Sequence, residues 1–292
     1  MTSGSAVGLA DGADELDQGW YEKNSPRVLV DGDPGFRAND RPASDRPNHR
    51  GMAETVGGSA ADHRQGASVT DDTTAAVLAE LAALDDPKLR EVNRRHGDDH
   101  GVKLSDLRAL AKQLKVQPDL ARDLWTTGDP AARLLSILIC RPRALTAGEL
   151  DAMLRGAGTP KVHDWLVNYV VKVNRHSDEL RQAWLADPSP VVESAGWALT
   201  VERVAKKPDG LDLDGLLDTV EARMKEAPER LQWAMNHCLA QIGISHPERR
   251  ARAIAIGERL EVLKDYPTPP NCTSPFAPTW IAEMVRRQGV AS

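Results

Sequence analysis

The helix predicted for residues 160–174 brings three cations, an indole and an amide to one side. Successive residues of an α-helix are rotated by about 100°, so the sequence can be sorted into faces. One arc is apolar and predicts the buried stripe: Val162, Leu166, Tyr169, Val170 and Val173. The other arc is polar: Lys161, Trp165, Asn168, Lys172 and Arg175, with Asp164 at its margin. Such a face can follow DNA phosphates with its cations and stack a base on its indole. The alternative is a solvated surface whose tryptophan covers a neighbouring helix.

Two later helices also place a tryptophan away from the apolar stripe. In the helix predicted for 228–243 the stripe is Leu231, Met235, Cys238, Leu239 and Ile242. Trp233 and His237 lie opposite this stripe, together with Arg230 and Gln241. In the helix predicted for 189–206, Trp197 lies away from the small apolar face, but that helix is apolar nearly all round. Two alternatives therefore stay open for Trp197: burial between helices, or convergence with the other tryptophans on one groove that stacks a base or holds a cation.

Other residues with potential chemistry are better explained as structural. The segment from His96 to His100 has the composition of a metal site, but four adjacent ligands seldom converge, and Gly97 and Asp98 are ordinary turn residues. Cys272 has no histidine beside it and is interpreted as a loop residue, whereas Cys140 and Cys238 fall in apolar stripes. The sequence contains no phosphate-binding or dinucleotide-binding motif, so we predict neither a metal nor a cofactor.

The elements that position these residues are predicted to be helices from about residue 73 to the end of the chain. Asp129-Pro130, Asp187-Pro188 and Ala227-Pro228 each precede a strongly apolar helix, and proline fits the first helical turn. Recurrent helix pairs of this kind predict an all-α, HEAT-like solenoid with a concave face. The alternative is an irregular helical bundle. The further helices are predicted at 146–156, 160–174, 177–186, 189–206, 212–226, 228–243, 247–262 and 276–288.

Composition divides the chain into two regions. Residues 1–70 hold ten of the 22 glycines and show no long apolar periodicity, so we predict a disordered segment followed by a helical domain over 71–292. Met52 offers a second possible start, which would make the upstream residues a non-native extension.

Charge and cysteine content exclude several classes of protein. A net charge of −6 excludes a histone-like polycation, but it leaves room for a local basic groove. Three cysteines are too few for a secreted disulfide scaffold and favour the cytoplasm. No run of apolar residues is long enough to span a membrane, and we expect a monomer.

Several stretches together resemble the DNA alkylation repair (AlkD-like) proteins, which are HEAT-like-repeat DNA glycosylases. The resemblance covers about residues 75–288 and rests on the order of these stretches along a helical chain. They are Gly101-Val102-Lys103-Leu104-Ser105-Asp106-Leu107-Arg108-Ala109-Leu110-Ala111-Lys112, Leu124-Trp125, Ala132-Arg133-Leu134-Leu135, Trp165-Leu166-Val167-Asn168-Tyr169-Val170, Asp265-Tyr266-Pro267 and Cys272-Thr273-Ser274-Pro275-Phe276-Ala277-Pro278.

The resemblance implies excision of purines alkylated at N3 or N7, and it also exposes a departure. Such a base is cationic and leaves readily, so a carboxylate that stabilises the sugar cation and indoles that flank the base would suffice. The position of the family's aspartate is Asn168 here, and the position of its arginine falls around Glu193-Ser194. The position of its later tryptophan falls near His237, with Trp233 one turn earlier. Asp164, one turn before Asn168, is the substitute carboxylate that the sequence offers.

Two functions follow from this sequence. The first is a DNA repair protein that binds double-stranded or branched DNA on its concave face, with glycosylase activity either transferred to Asp164 or lost. The second is a non-catalytic, protein-binding solenoid, since such folds host many interaction roles. A positive groove containing Trp165 and Lys172 would favour DNA as the partner.

Overall fold

The computed structural model describes residues 62–269 and 272–290, with side chains over 72–269 and 272–289. The chain divides into two compact units, Met1–Asp72 and Thr73–Ser292. The predictions for residues 1–61, including disorder and the alternative start at Met52, lie outside the described residues. The first described helix begins at Asp62, inside the segment predicted to be disordered.

Every regular element of the described residues is helical. The α-helices are α1 (Asp62–Ala83), α2 (Pro87–Arg95), α3 (Leu104–Leu114), α4 (Pro118–Thr126), α5 (Pro130–Ile139), α6 (Ala147–Arg155), α7 (Pro160–Trp165), α8 (Ser177–Leu185), α9 (Pro190–Lys206), α10 (Leu213–Arg223), α11 (Glu229–Ser245), α12 (Pro247–Leu260) and α13 (Ala277–Val290). A π-helical turn, Leu166–Val170, and a 3₁₀ turn, Val171–Val173, follow α7, and further 3₁₀ turns span Pro142–Ala144 and Met224–Glu226. None of the described helices has both the length and the apolar character needed to cross a membrane.

Proline in the first turn explains many of these helix starts. Asp129 caps α5 by accepting a hydrogen bond from the Ala132 amide at 2.8 Å, as its Asp-Pro pair predicts. The helix predicted at 189–206 begins at Pro190, so Pro188 lies before its first turn and not within it. The Asp187 carboxylate instead accepts from the Ser189 amide and pairs with Arg155.

In the Thr73–Ser292 unit, every second helix from α3 to α13 packs against the next one of this set, so that these helices form a row. Helix α3 packs against α5, α5 against α7, the π turn after α7 against α9, α9 against α11, and α11 against α13. The intervening helices α4, α8 and α12 each pack against members of this row. This is the stacking that HEAT-like repeats predict, since each helix pair buries its apolar face against the next.

The core consists of two apolar clusters that meet on α9. One contains Leu107, Leu135 and Leu166, and its members on α9 include Leu199; the other contains Trp197, Met235 and Ile281 among its members. The predicted core cysteines lie in these clusters, and burial raises the pKa of both the Cys140 and Cys238 thiols to about 12. Both are therefore neutral packing residues.

Candidate nucleic-acid interface

The start of α7 is fixed by a residue from a distant turn. The Asp98 carboxylate, which is buried, accepts a hydrogen bond from the Lys161 amide at 2.8 Å. Gly97 precedes it with φ +82° and lies against the Pro160 ring, where an added Cβ would approach Cγ to 3.2 Å. The segment with metal-site composition thus caps the helix that carries the candidate site. Among the described residues, no group of histidine, cysteine and carboxylate side chains could hold a metal ion.

The π turn changes which residues of this segment face outward. The Val171 amide donates to the Leu166 carbonyl, five residues back, so this turn holds an additional residue. The predicted division of this segment into an exposed and a buried face is wrong at three positions, of which Tyr169 and Val173 come after the start of the π turn. Trp165, predicted to be exposed, is only 5% exposed, whereas Tyr169 and Val173, predicted to be buried, are 39% and 52% exposed.

The Trp165 indole contributes to the surface through two neighbours. Its ring meets Tyr169 edge to face at a centroid distance of 5.3 Å. The Arg108 guanidinium lies 5.2 Å from the centroid of the same indole, and Arg108 is exposed. The accessible part of this stack is therefore Tyr169 and Arg108, and Trp165 supports them from beneath.

Asp164 is held by an arginine from α11. Arg230 Nη2 donates to Asp164 Oδ1 at 2.5 Å and lies 2.5 Å from His163 Nδ1, while its Nε donates to Ser194 Oγ at 3.2 Å. His163 Nε2 is 3.1 Å from the Val191 carbonyl, which can only accept. In its neutral form the ring thus keeps its proton on Nε2, so that Nδ1 accepts from Arg230. Arg230 joins α7, α9 and α11 at this point.

The Asp164 carboxylate remains ionised at neutral pH. Burial acts to raise its pKa, but the positive charges of Arg230 and Lys161 help to hold it below its usual value. Its side chain is 31% exposed, so it is still accessible to water. A partly exposed, ionised carboxylate surrounded by cations can face a developing positive charge.

Asn168 and Lys172 form a hydrogen-bonded pair one turn further on. Lys172 Nζ donates to the Asn168 side-chain oxygen at 2.6 Å, and both side chains are half-buried. Burial lowers the pKa of Lys172, and the charge of Lys206 lowers it further. The charges of Glu202 and Asp164 act in the opposite direction. Arg175, the third predicted cation of this face, is exposed and donates to His176.

The aromatic residues of α11 pack on the C-terminal part of the chain. Trp233, half-buried, meets Tyr266 edge to face at 4.9 Å, and His237 stacks on Trp280 at 5.1 Å. Burial lowers the pKa of His237 to about 3, and the charge of Lys172 adds to this effect. His237 is therefore a neutral, stacked ring at neutral pH.

Trp197 does not reach a groove. It is 1% exposed, and its indole nitrogen donates to Glu193 Oε1 at 3.1 Å. Glu193 is itself buried and pairs with Arg223 at 2.9 Å. Of the two alternatives for Trp197, burial between helices is the one that the structure shows. Gln241, expected opposite the apolar stripe of α11, is also buried.

Comparison with known proteins gives a family for this arrangement. The family model described as "DNA alkylation repair enzyme" matches residues 77–281. The chain belongs to the DNA alkylation repair enzyme family. A solved structure described as "A new family of proteins related to the HEAT-like repeat DNA glycosylases with affinity for branched DNA structures" matches with a TM-score of 0.60 and 22% identity, covering 74% of this chain and 94% of that chain. This likeness confirms the HEAT-like fold. A comparison with curated proteins found no match.

The fold of this DNA alkylation repair enzyme family member brings some of the predicted site residues together. Lys172 is hydrogen-bonded to Asn168 and Asp164 to Arg230, while charge effects link Lys172 with Asp164 and with His237. We call these five residues the α7–α11 cluster. The position expected for the family's arginine falls at Glu193-Ser194, whereas the arginine that reaches Asp164 is Arg230. The signal that could have found it is its place beside Trp233 and His237 on the polar side of α11.

Proposed function

We propose that this protein binds alkylated or branched DNA across its concave face at the α7–α11 cluster, and hydrolyses the N-glycosidic bond of purines alkylated at N3 or N7. The observation that carries this proposal is Asp164, an ionised and partly exposed carboxylate among cations. The cations that would follow the DNA phosphates are Lys161 and Arg175, on either side of Lys172 along this segment. We also propose that it acts in the cytoplasm, on the basis of its few cysteines.

The proposed chemistry demands little of the protein. Alkylation at N3 or N7 places a positive charge on the base and weakens its bond to the sugar. As the base leaves, positive charge grows on the deoxyribose, where the Asp164 carboxylate can stabilise it and orient the attacking water. Arg230 acts as a positioning residue, because its hydrogen bond holds the carboxylate on α7 in one orientation.

A second candidate function is DNA binding without catalysis. It is favoured by the same Arg230 contact, because an oxygen of Asp164 that accepts from a guanidinium at 2.5 Å is less available to a sugar cation. In that case the cluster would recognise DNA structure through its charges and through the exposed Tyr169 and Arg108.

Base release distinguishes the two candidates. Purified full-length protein is incubated with duplex DNA containing 7-methylguanine or 3-methyladenine, and the released base is quantified by chromatography. Asp164→Asn, which keeps the shape and removes the charge, should lower the release rate by about 100-fold. Asp119→Asn, on an exposed carboxylate of α4, serves as the matched control and should leave the rate unchanged. A wild-type rate that Asp164→Asn does not alter excludes Asp164 as the carboxylate.

DNA binding is tested separately by fluorescence anisotropy on linear and four-way branched duplexes. The dissociation constant should rise steeply with salt, by about 0.9 log unit per log unit of salt for each phosphate neutralised. Lys161→Ala or Arg175→Ala should reduce this slope by about one phosphate. Binding that is absent at low salt, or independent of salt, contradicts the proposal and favours a protein partner.

A further inference from the structure

The Lys172 amine faces an amide where a lysine would ordinarily face a carboxylate. Its nitrogen lies 2.6 Å from the Asn168 side-chain oxygen. Among the residues that the structure describes, no carboxylate is within ion-pairing distance of it, because Glu202 pairs with Lys206 and Asp164 with Arg230. The amine is thus positioned by a neutral acceptor and remains partly accessible to solvent.

The surroundings of this amine favour its neutral, nucleophilic form. Burial is the largest influence and lowers the pKa of Lys172; the Lys206 ammonium acts in the same direction, and Glu202 and Asp164 oppose them. From α11, His237 is close enough for the charge of Lys172 to act on it, and its ring is neutral because burial lowers its pKa to about 3. A lysine in such surroundings can act as a nucleophile toward a carbonyl carbon.

We propose that the Lys172 amine forms a Schiff base with the C1′ aldehyde of an abasic deoxyribose in DNA, so that the protein is also an abasic-site lyase. This inference rests on the proposed binding of DNA at the α7–α11 cluster. The substrate class is DNA that has already lost a base, whether by spontaneous loss of an alkylated purine or by the release proposed above.

The reaction is balanced without an oxidant or a reductant. The amine lone pair attacks C1′ of the open-chain sugar, the aldehyde oxygen takes up a proton, and loss of water gives the protonated imine. A carboxylate then removes a proton from C2′; Asp164, whose charge acts on Lys172, is the carboxylate that this segment offers. The electrons of that bond form the C2′=C3′ double bond as the C3′–O bond breaks and the 3′ phosphate leaves. Water finally hydrolyses the imine and regenerates Lys172.

The amide at position 168 is part of this proposal. An aspartate there would pair with Lys172, hold it as an ammonium and suppress attack on an aldehyde. An asparagine positions the same nitrogen without supplying a negative charge. The residue that departs from the family's pattern is therefore the one that leaves Lys172 free to react.

Borohydride trapping tests the inference directly. Full-length protein is mixed with duplex DNA carrying one abasic site, sodium borohydride is added, and the covalent protein–DNA adduct is quantified on a denaturing gel. Lys172→Arg keeps a long basic side chain but cannot form an imine, so the adduct should fall by at least about tenfold while DNA affinity stays within about twofold. Lys225→Ala, on an exposed lysine of the turn before α11, is the matched control and should leave the adduct unchanged.

The outcomes separate this inference from the proposed function, because DNA affinity is measured on the same samples. Wild-type protein that binds abasic DNA yet gives no adduct overturns the inference alone, as does an adduct that survives Lys172→Arg. Protein that binds no DNA at low salt overturns both. An adduct that depends on Lys172, formed without any release of alkylated bases, supports the lyase and excludes the hydrolysis.

Discussion

At the scale of single residues, the chemistry of the α7–α11 cluster depends on whether position 168 carries a charge. Asn168 offers Lys172 a hydrogen bond at 2.6 Å, and Asp164 is engaged by Arg230. A carboxylate at 168 would have no arginine partner of this kind. It would meet only the lysine, which would stabilise its ionised form at neutral pH.

Asn168→Asp should therefore change two activities in opposite directions. Release of 7-methylguanine should rise by about 100-fold, since a carboxylate facing a sugar cation contributes a few kcal/mol. Borohydride trapping should fall at neutral pH, and its midpoint should move to higher pH, because the new negative charge raises the pKa of Lys172. Both are measured on the same protein preparations across a pH series.

The control for this experiment adds a charge elsewhere. Gln113→Glu, on an exposed residue of α3, should change neither activity. If Asn168→Asp binds DNA normally but releases no additional base, the cluster does not hold the sugar as a glycosylase requires, and the binding-only function is favoured.

The sequence predicts part of this residue-scale arrangement. Asp164, Asn168 and Lys172 follow from helical spacing, because one turn separates each from the next. Arg230 could not be placed, because it lies 66 residues from Asp164 and only packing brings the two together. Trp165 was misassigned because Tyr169 and Arg108 pack on its indole, and a helical wheel of one segment does not show such contacts.

At the scale of elements, the position of α9 depends on a close contact with α8 at Gly196. A Cβ at Gly196 would lie 2.6 Å from the Leu185 amide nitrogen and 2.9 Å from the Trp184 carbonyl carbon. Both are backbone atoms and cannot move aside independently. Since α9 carries the Ser194 hydroxyl that binds Arg230, this contact also sets the geometry of the cluster.

Gly196→Ala should consequently destabilise the protein by about 1–3 kcal/mol, because the two helices must separate. Gly148→Ala is the matched control: Gly148 is also helical, nothing lies within 4 Å of its added Cβ, and the change should stabilise by about 0.4–1 kcal/mol. Urea denaturation of the two variants measures the difference. Equal effects of the two substitutions would show that α8 and α9 do not approach as described.

The sequence predicts where the helices begin better than it predicts the irregular turns within them. Proline in the first turn locates the starts of α2, α4, α5, α7 and α12, since it is well tolerated only there within a helix. Two nearby prolines made the start of α9 ambiguous, and Pro190 is the one inside the helix. The π turn after α7 has no comparable signal in composition.

At the scale of the whole molecule, the fold is a row of helices with its apolar clusters joined through α9. Its first described contributors to the core are Val77 and Leu81 of α1, which are 5% and 4% exposed. The burial of these two residues indicates that the C-terminal part of α1 belongs to the Thr73–Ser292 unit. The HEAT-like class was predictable because helix pairs recur along the sequence. The cap that Asp98 provides for α7 was not, because the two residues that form it lie 63 positions apart.

A chain that begins at Asp71 should therefore melt within a few degrees of the full chain. It keeps Val77, Leu81 and all the later helices, so the apolar area buried in the core is conserved. Thermal unfolding followed by circular dichroism compares the two chains. A substantially lower melting temperature for the shorter chain would mean that residues 1–70 stabilise the domain.

The π turn at Leu166–Val170 also has a consequence for how this chain is compared with its relatives. A π turn holds one residue more than the α turn it replaces, so it is the structural equivalent of a single-residue insertion. A relative whose corresponding helix is α-helical throughout would align with this chain only through a one-residue gap. Depending on which side of the gap it is placed, one position of the relative corresponds to Asn168 or to Tyr169. Equivalent residues at this site are therefore better identified by superposing backbones than by aligning sequences.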